Sequence, residues 1–507
     1  MPSPYQLLTF TEDNLALAFE TAFFKKDYIK KNRFHYRYFL DYLGNSSEDS
    51  LKAKTILIEN EYLSRDFLYD FSNYYSLCFS DDYKKKCKRI HFFSSEISEH
   101  DFLTDYLENT NNVINDNNYL GYIVVKELPN VLIGSTILKT YSSNTKKRIY
   151  ITKNYKVHLF GKELKISSIA FQEQDKAVSA CATSALWAAF QKTSSLFQTQ
   201  LPTPFEITTS SGNLFNESGR NFPNGGLDHF QIGNAIKNVG LVFELRNQSD
   251  YLKDHLKVKA FIYSYMKMGI PVLIGIDIKD KGWHLITLLG FAETKLSFKK
   301  NKRLSLIAEQ LSEFYAHDDQ IGPYSRFKFQ SNWLTQHLET SWWIDKKGTQ
   351  KRKAELISIF VPIYDKIRIS FDDIYKAINY FDIYLFKVLL SDEVIWDIFL
   401  YKSDLLKFET ISDSELSPRI KNKILFSSFP KYVWVARAFA NNERLIEFIF
   451  DSTGIAKGFY CICINSFNDD LKERISIDIE NPDFKDFITT NLHPKFIELL
   501  AQEGNDI

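Results

Sequence analysis

The sequence predicts an α+β protein: a central buried helix packed on an antiparallel sheet, with a mainly helical N-terminal region and a mixed α/β C-terminal region. Three observations carry this. Residues 180–190, ACATSALWAAF, hold no charge in a chain that is 25% charged, as a helix buried on all sides requires. GIPVLIGIDI (269–278) and GWHLITLLGFAE (282–293) are near-continuous apolar runs joined by a Lys-Asp-Lys-Gly turn, which predicts an antiparallel hairpin in the middle of a sheet. Near the start, DNLALAFETAFFKKDYIKKNRFHYRYFLDYL and SLKAKTILIENEYLSRDFLYDFSNYY set aromatics among Lys and Arg at roughly helical spacing.

At 507 residues the chain exceeds a single core, and roughly two to four domains are expected. Hydrophobic residues make up 44% and aromatics 15%, enough for packed interiors and too much for a disordered chain. Lys plus Arg and Asp plus Glu both number 63, so no global field favours nucleic acid or an anionic membrane. The basic runs Lys84 to Arg89 and Lys299 to Arg303 read as solvated surface. Aromatics interleaved with cations can bind single-stranded nucleic acid, but amphipathic helices with a Phe/Tyr core face account for the pattern at less cost. The first 20 residues place acids where a signal peptide needs bases, and IPVLIGI falls far short of the ~20 apolar residues of a membrane span. Five cysteines form an odd set without two-pair metal spacing, and Cys461 and Cys463 share one face of a strand, as core residues do. The expectation is a cytoplasmic chain with reduced thiols, no cofactor or metal, and neither membrane nor nucleic acid as partner.

The elements follow in order. An Asn-rich turn segment, ENTNNVINDNN, closes the first helical stretch, which runs to about residue 110. LGYIVVKEL and VLIGSTILKTY then predict a strand pair at 120–141, and KRIYITKNYKVHLFGKELKISSIAF continues in strands. Past the central helix lies a loop with four glycines within 211–226, then GLDHFQIGNAIKNVG, a helix closed by Gly240 and followed by a strand. After the hairpin come a charged insertion (294–303) and LSLIAEQLSEFYAHDDQIGPYSRFKF, which reads as strand and turn. KKGTQKRKAE reads as a linker or exposed loop before the mixed α/β remainder. Three domains result: 1–140, mainly helical and ending in the strand pair; 141–345, holding the buried helix; and 346–507, of unassigned role.

Cys181 stands at the mouth of the central helix. A free cysteine commonly packs as a small hydrophobe, whereas at a helix N-terminus its thiolate is stabilised and can act as a nucleophile. A nucleophilic thiol needs a base to take its proton and a third group to orient that base. His284, inside WHLITLLGF, and Asp318 or Asp319, in FYAHDDQIGP, are of the right types. Each alone is commonplace; their order along the chain is the stronger signal.

QEQDKAVSACATSALW, GLDHFQIGNAIKNVG, GIPVLIGID, WHLITLLGF and YAHDDQIGP follow one another between about 170 and 330. In that order they resemble the papain-like cysteine peptidase superfamily, and within it the bacterial double-glycine leader peptidases and their relatives. The resemblance implies a papain-like core with Cys181 as nucleophile, His284 as base and Asp318 orienting the imidazole. It further implies Gln174 as donor to the oxyanion, with Gln172 as fallback. Ala182 replaces the family's common glycine, and the 34 residues from His284 to Asp318 exceed the usual gap, which leaves His317 and Asp319 as alternatives. Strand alternation puts His317 and Asp319 on one face and Asp318 on the other, and bulky, amphipathic Tyr315 and His317 are expected at the surface, which turns Asp318 inward. The implied activity is hydrolysis of a peptide or isopeptide bond in a protein or peptide substrate. The flanking regions would regulate it, through a protein partner, in a bacterial conflict (antiviral defence) or peptide-processing system. Two further readings stand beside it: a transglutaminase-like acyltransferase, whose histidine and acid usually lie closer together, and an inactive papain-like interaction module, which would lack the thiol or the imidazole.

Overall fold

The computed structural model describes residues 3–44, 50–78, 82–108, 110, 112–142, 146–175, 180–212, 226–247, 255–279, 281–293, 296, 298, 304–311, 313–331, 336–344, 351–388, 393–455 and 458–504. The glycine-rich loop from 213 to 225, most of the charged insertion and the basic run from 299 to 303 lie outside them. The chain is mixed α+β and forms two units, one of residues 1–252, 271–293 and 312–362, the other of 253–270, 294–311 and 363–507. The first unit thus joins the regions expected on either side of residue 140.

The first unit opens with β1 (Tyr5–Thr9), α1 (Glu12–Ala18), α2 (Lys26–Asn32), α3 (Phe34–Leu43), β2 (Thr55–Tyr62), α4 (Arg65–Asn73), β3 (Cys87–Phe93), α5 (Glu99–Leu107), β4 (Tyr119–Val125) and β5 (Ile133–Leu138). The strands form one antiparallel sheet in chain order. This corrects the mainly helical expectation: the helices are there, but they surround a sheet whose first three strands lie in the stretch read as helices. The physical reason lies in the charges. Arg89 sits directly across the ladder from Glu59, with its Nε 2.7 Å from the carboxylate, so a cation can be buried in a strand. The basic run Lys84 to Arg89, read as solvated surface, thus ends inside a buried strand.

Next come β6 (Arg148–Tyr150), the ribbon of β7 (Lys153–Leu159) and β8 (Lys162–Ser168), then α6 (Cys181–Phe197), α7 (Pro204–Ser211), α8 (His229–Asn238) and β9 (Val242–Asn247). α9 (His255–Met266) belongs to the second unit. β10 (Val272–Ile278) and β11 (Gly282–Ala292) are the expected hairpin, followed by β12 (Glu313–Asp318), β13 (Gly322–Ser331), β14 (Gln336–Ile344) and β15 (Lys351–Ile363). β10 pairs with both β11 and β15, so the six strands β10 to β15 close on themselves, with β6 added beside β11 and β9 beside β15. β15 corrects the linker reading from residue 351 on. Its Lys353 and Glu355 are exposed between buried Arg352, Ala354 and Leu356, a period-two pattern that the density of charge hides. Residues 345–350 lie outside the described residues.

α6 is the expected buried helix: every side chain from Ala182 to Gln191 is buried, and the Thr287 hydroxyl of β11 donates to the Ala185 carbonyl at 2.8 Å.

The second unit adds α10 (Phe371–Val388), β16 (Ile395–Lys402), α11 (Ser403–Ser412), α12 (Pro418–Leu425), β17 (Tyr432–Ala440), β18 (Glu443–Asp451), β19 (Cys461–Ser466), α13 (Asp469–Asp478), α14 (Pro482–Asn491) and α15 (Lys495–Gly504). Its four strands form an antiparallel sheet in chain order, over a core that includes Phe399, Val433, Ile449 and Cys463. Among the described residues, no helix is long and apolar enough to cross a membrane.

Candidate active site

Cys181 is the first residue of α6. The residue before it, Ala180, has extended backbone and no side chain able to accept from the first turn, where Ser, Thr, Asp or Asn would be worth about 1 kcal/mol. Only the reverse half of a cap is made, Ala180 N–H donating to Thr183 Oγ1 at 3.3 Å. Cys181 is half-buried, whereas Cys87, Cys461 and Cys463 are buried and Cys78 is exposed.

His284, the third residue of β11, is buried. Its Nε2 lies 2.8 Å from Asp318 Oδ1 and 3.5 Å from Asp319 Oδ1. The Cys181 thiol lines the same cavity as this ring and interacts favourably with its charged form. Burial works to strip the ring of its proton, but the negative charges of Asp318 and Asp319, the hydrogen bond that Asp318 accepts and the neighbouring Cys181 thiol win and hold it well above its ordinary value of 6.5. Gln320, which sequence reasoning passed over, completes the surround: its backbone N–H donates to Asp318 Oδ1 at 2.9 Å, and its amide nitrogen is 3.4 Å from His284 Nδ1.

Both acids reach the imidazole because alternation stops there. Asp318 is the last residue of β12, the ladder with β13 slips between Ala316 and Asp318, and Asp319 lies in the turn. Tyr315 and His317, expected at the surface, are buried, which corrects that expectation. All of β12 is covered on both faces, so bulk and polarity no longer tell its sides apart. His317 is engaged elsewhere: Nε2 lies 3.0 Å from the Ile169 carbonyl, and Nδ1 accepts the Tyr324 N–H at 3.1 Å. Burial pushes its ring down to about 3, so it stays neutral.

The turn bearing the acids is braced from α3. His35 Nε2 donates to the Asp319 carbonyl at 2.7 Å, and the Tyr38 hydroxyl donates to the Pro323 carbonyl at 2.5 Å. A Cβ at position 322 would come 2.2 Å from Tyr38 Cδ1, so only glycine lets that ring lie on the turn. Below His35, Glu173 accepts two bonds of 2.9 Å from Arg33 and the Leu132 and Ile133 N–H groups at 3.0 and 3.1 Å. The sequence carried one signal for this brace, the run of aromatics in FHYRYF, which marks a packing face without saying against what.

Gln174 is half-buried. Gln172 is buried and lines a small cavity with Ser184, Ala185, His317 and Asp319. The cavity that Cys181 and His284 share is lined instead by Leu227, His229, Ile232, Ile276 and Trp283. Trp283 is 74% exposed at its rim, its ring near parallel to His229 with centroids 6.3 Å apart.

Among the described residues, one group of three side chains has the count for a metal ion: donor atoms of His284, Asp318 and Asp319 lie within 4.8 Å of one another. Asp318 already accepts from the imidazole and from Gln320, which is the arrangement of a carboxylate orienting a histidine. No family model and no curated protein matches this chain.

Proposed function

We propose that the chain is a cysteine peptidase with a papain-like core, hydrolysing a peptide or isopeptide bond. One observation carries the reading: a half-buried thiol shares a cavity with a buried imidazole that is hydrogen-bonded to a buried carboxylate. The uncapped start of α6 and the closed antiparallel strands opposite it support the same reading.

Asp318 accepts from His284 Nε2, which leaves Nδ1, with the Gln320 amide 3.4 Å away, to serve the thiol. With the ring charged, Cys181 stands beside it as the thiolate, and the sulfur attacks the amide carbonyl carbon, forming a C–S bond. First-turn N–H groups of α6 and the Gln174 side chain stabilise the oxyanion. His284, kept protonated by its acids, gives its proton to the leaving amine as the C–N bond breaks. A water then loses a proton to His284 and attacks the thioester, the C–S bond breaks, and the acid leaves while the thiolate and the charged ring are restored. Regulation by a protein partner, a cytoplasmic location and a role in a bacterial conflict or peptide-processing system belong to the same proposal.

The test is to label intact protein with iodoacetamide at neutral pH and map the modified cysteines by mass spectrometry. Cys181 should react fastest, ahead of exposed Cys78; burial holds the Cys87 and Cys463 thiols up at about 12 and keeps them inert. A Cys181 no faster than Cys78 would overturn the reading. Peptide libraries offered with and without an added amine then separate hydrolysis from transglutaminase-like transfer, since transfer leaves the acyl group on the amine.

A further inference from the structure

A triad needs one carboxylate, yet two are buried against the same imidazole nitrogen, at 2.8 and 3.5 Å. Asp319 is 5% exposed, and apart from its own amide no described residue offers its carboxylate a hydrogen-bond donor. Its backbone is not free to turn the side chain away, because His35 holds the carbonyl at 2.7 Å.

The groups facing it are few. His284 carries the positive charge, and Asp318 and Glu173 carry like charge, that of Glu173 being offset by Arg33 at 2.9 Å. His317, neutral, borders the small cavity on the helix side together with Gln172 and Ser184. Two ionised carboxylates and one imidazolium in a dry site leave an uncompensated negative charge, and a shared proton removes it.

We propose that Asp319 is a second acid of the site, a positioning residue that holds a proton at rest and, on releasing it, stabilises the His284 imidazolium alongside Asp318. This rests on the peptidase reading of the same residues. Burial pushes the Asp319 carboxyl up to about 7, with Asp318 adding to the rise and His284 opposing it, so the proton leaves near neutral pH. Below that point one carboxylate balances the ring. Above it a second negative charge appears 3.5 Å from Nε2, against the ring itself. It therefore favours the charged ring more than it disfavours the thiolate.

Two measurements on the full chain test this. The first is the pH dependence of Cys181 alkylation by iodoacetamide in wild type and Asp319→Asn. Wild type should show a step near neutral pH that Asp319→Asn lacks, and the pH at which the ring loses its proton should fall by about one unit in the variant. The second is infrared spectroscopy of wild type and of Asp70→Asn, which lacks the other carboxyl that burial pushes up to about 7; in both, the C=O stretch of a buried protonated carboxyl should be present below neutral pH and fade above it. That arm decides the matter even if Asp319→Asn does not fold. Superimposable alkylation profiles, or no such band in Asp70→Asn, would overturn the proposal. The two readings fail separately: a Cys181 with the reactivity of Cys78 removes the peptidase, while the carboxyl band still reports whether the acids share a proton.

Discussion

On its acid side the candidate site is closed. Asp318, Asp319 and His284 are buried, and the turn between β12 and β13 is held by His35 and Tyr38. On its thiol side it is open: Cys181 is half-buried beside a cavity rimmed by Trp283. The contrast divides the labour. Charges placed out of water act strongly on the imidazole and need no reorganisation, whereas the nucleophile must meet a substrate arriving from solvent. Changes on the acid side should therefore cost stability and chemistry together, and changes on the thiol side chemistry or binding alone.

The sharpest test of this division is a pair of triad variants. Cys181→Ala should abolish turnover with stability changed by less than about 1 kcal/mol in urea unfolding. Asp318→Asn should lower kcat by about 10³- to 10⁴-fold through loss of ring orientation, and Asp319→Asn by far less. Equal losses for the two acids would erase the distinction drawn between them. His284→Ala should abolish turnover and also destabilise by about 3 kcal/mol or more, since it leaves the buried Asp318 carboxylate without its cation.

Smaller effects follow from the brace. His35→Ala removes a buried donor from the Asp319 carbonyl and should cost about 1–3 kcal/mol in the same urea measurement. No cost there would mean that α3 does not hold the turn.

Stability should also respond to pH with a definite sign. Asp319, raised from 3.8 to about 7, binds its proton more tightly when folded, so its burden on stability grows as pH rises through that window. Asp319→Asn should accordingly gain on wild type in thermal midpoint from acid to mildly alkaline pH. His317 works the other way: lowered from 6.5 to about 3, it costs stability as pH falls through that range. Thermal scans of wild type, Asp319→Asn and His317→Gln across pH would separate the two. The smallest effect belongs to the rim, where Trp283→Ala should stay within about 0.5 kcal/mol of wild-type stability and raise KM with little change in kcat. A large loss of stability there would mean that the thiol side is as tightly built as the acid side.

What could be read in the sequence is what depends on neighbours along the chain. The uncharged stretch around Cys181 had to be a buried helix, and the apolar runs on either side of Lys279 to Lys281 had to pair as a hairpin. The order of thiol, imidazole and acid was equally legible, because it needs only residue types and spacing. Contacts across long separations decided the rest. Only the ladder shows that Arg89 meets Glu59, which turns a basic run into strand β3. Closure of β10 to β15 buries both faces of β12, so alternation could not sort Tyr315 and His317 from Asp318. The turn after β12 brings Asp319 and Gln320 to the same ring, and His35, 284 residues earlier, reaches that turn only because α3 packs against it. Local sequence determines which backbone and which chemistry are available; the company each charged group keeps, and hence its protonation, is set by distant residues packed around it.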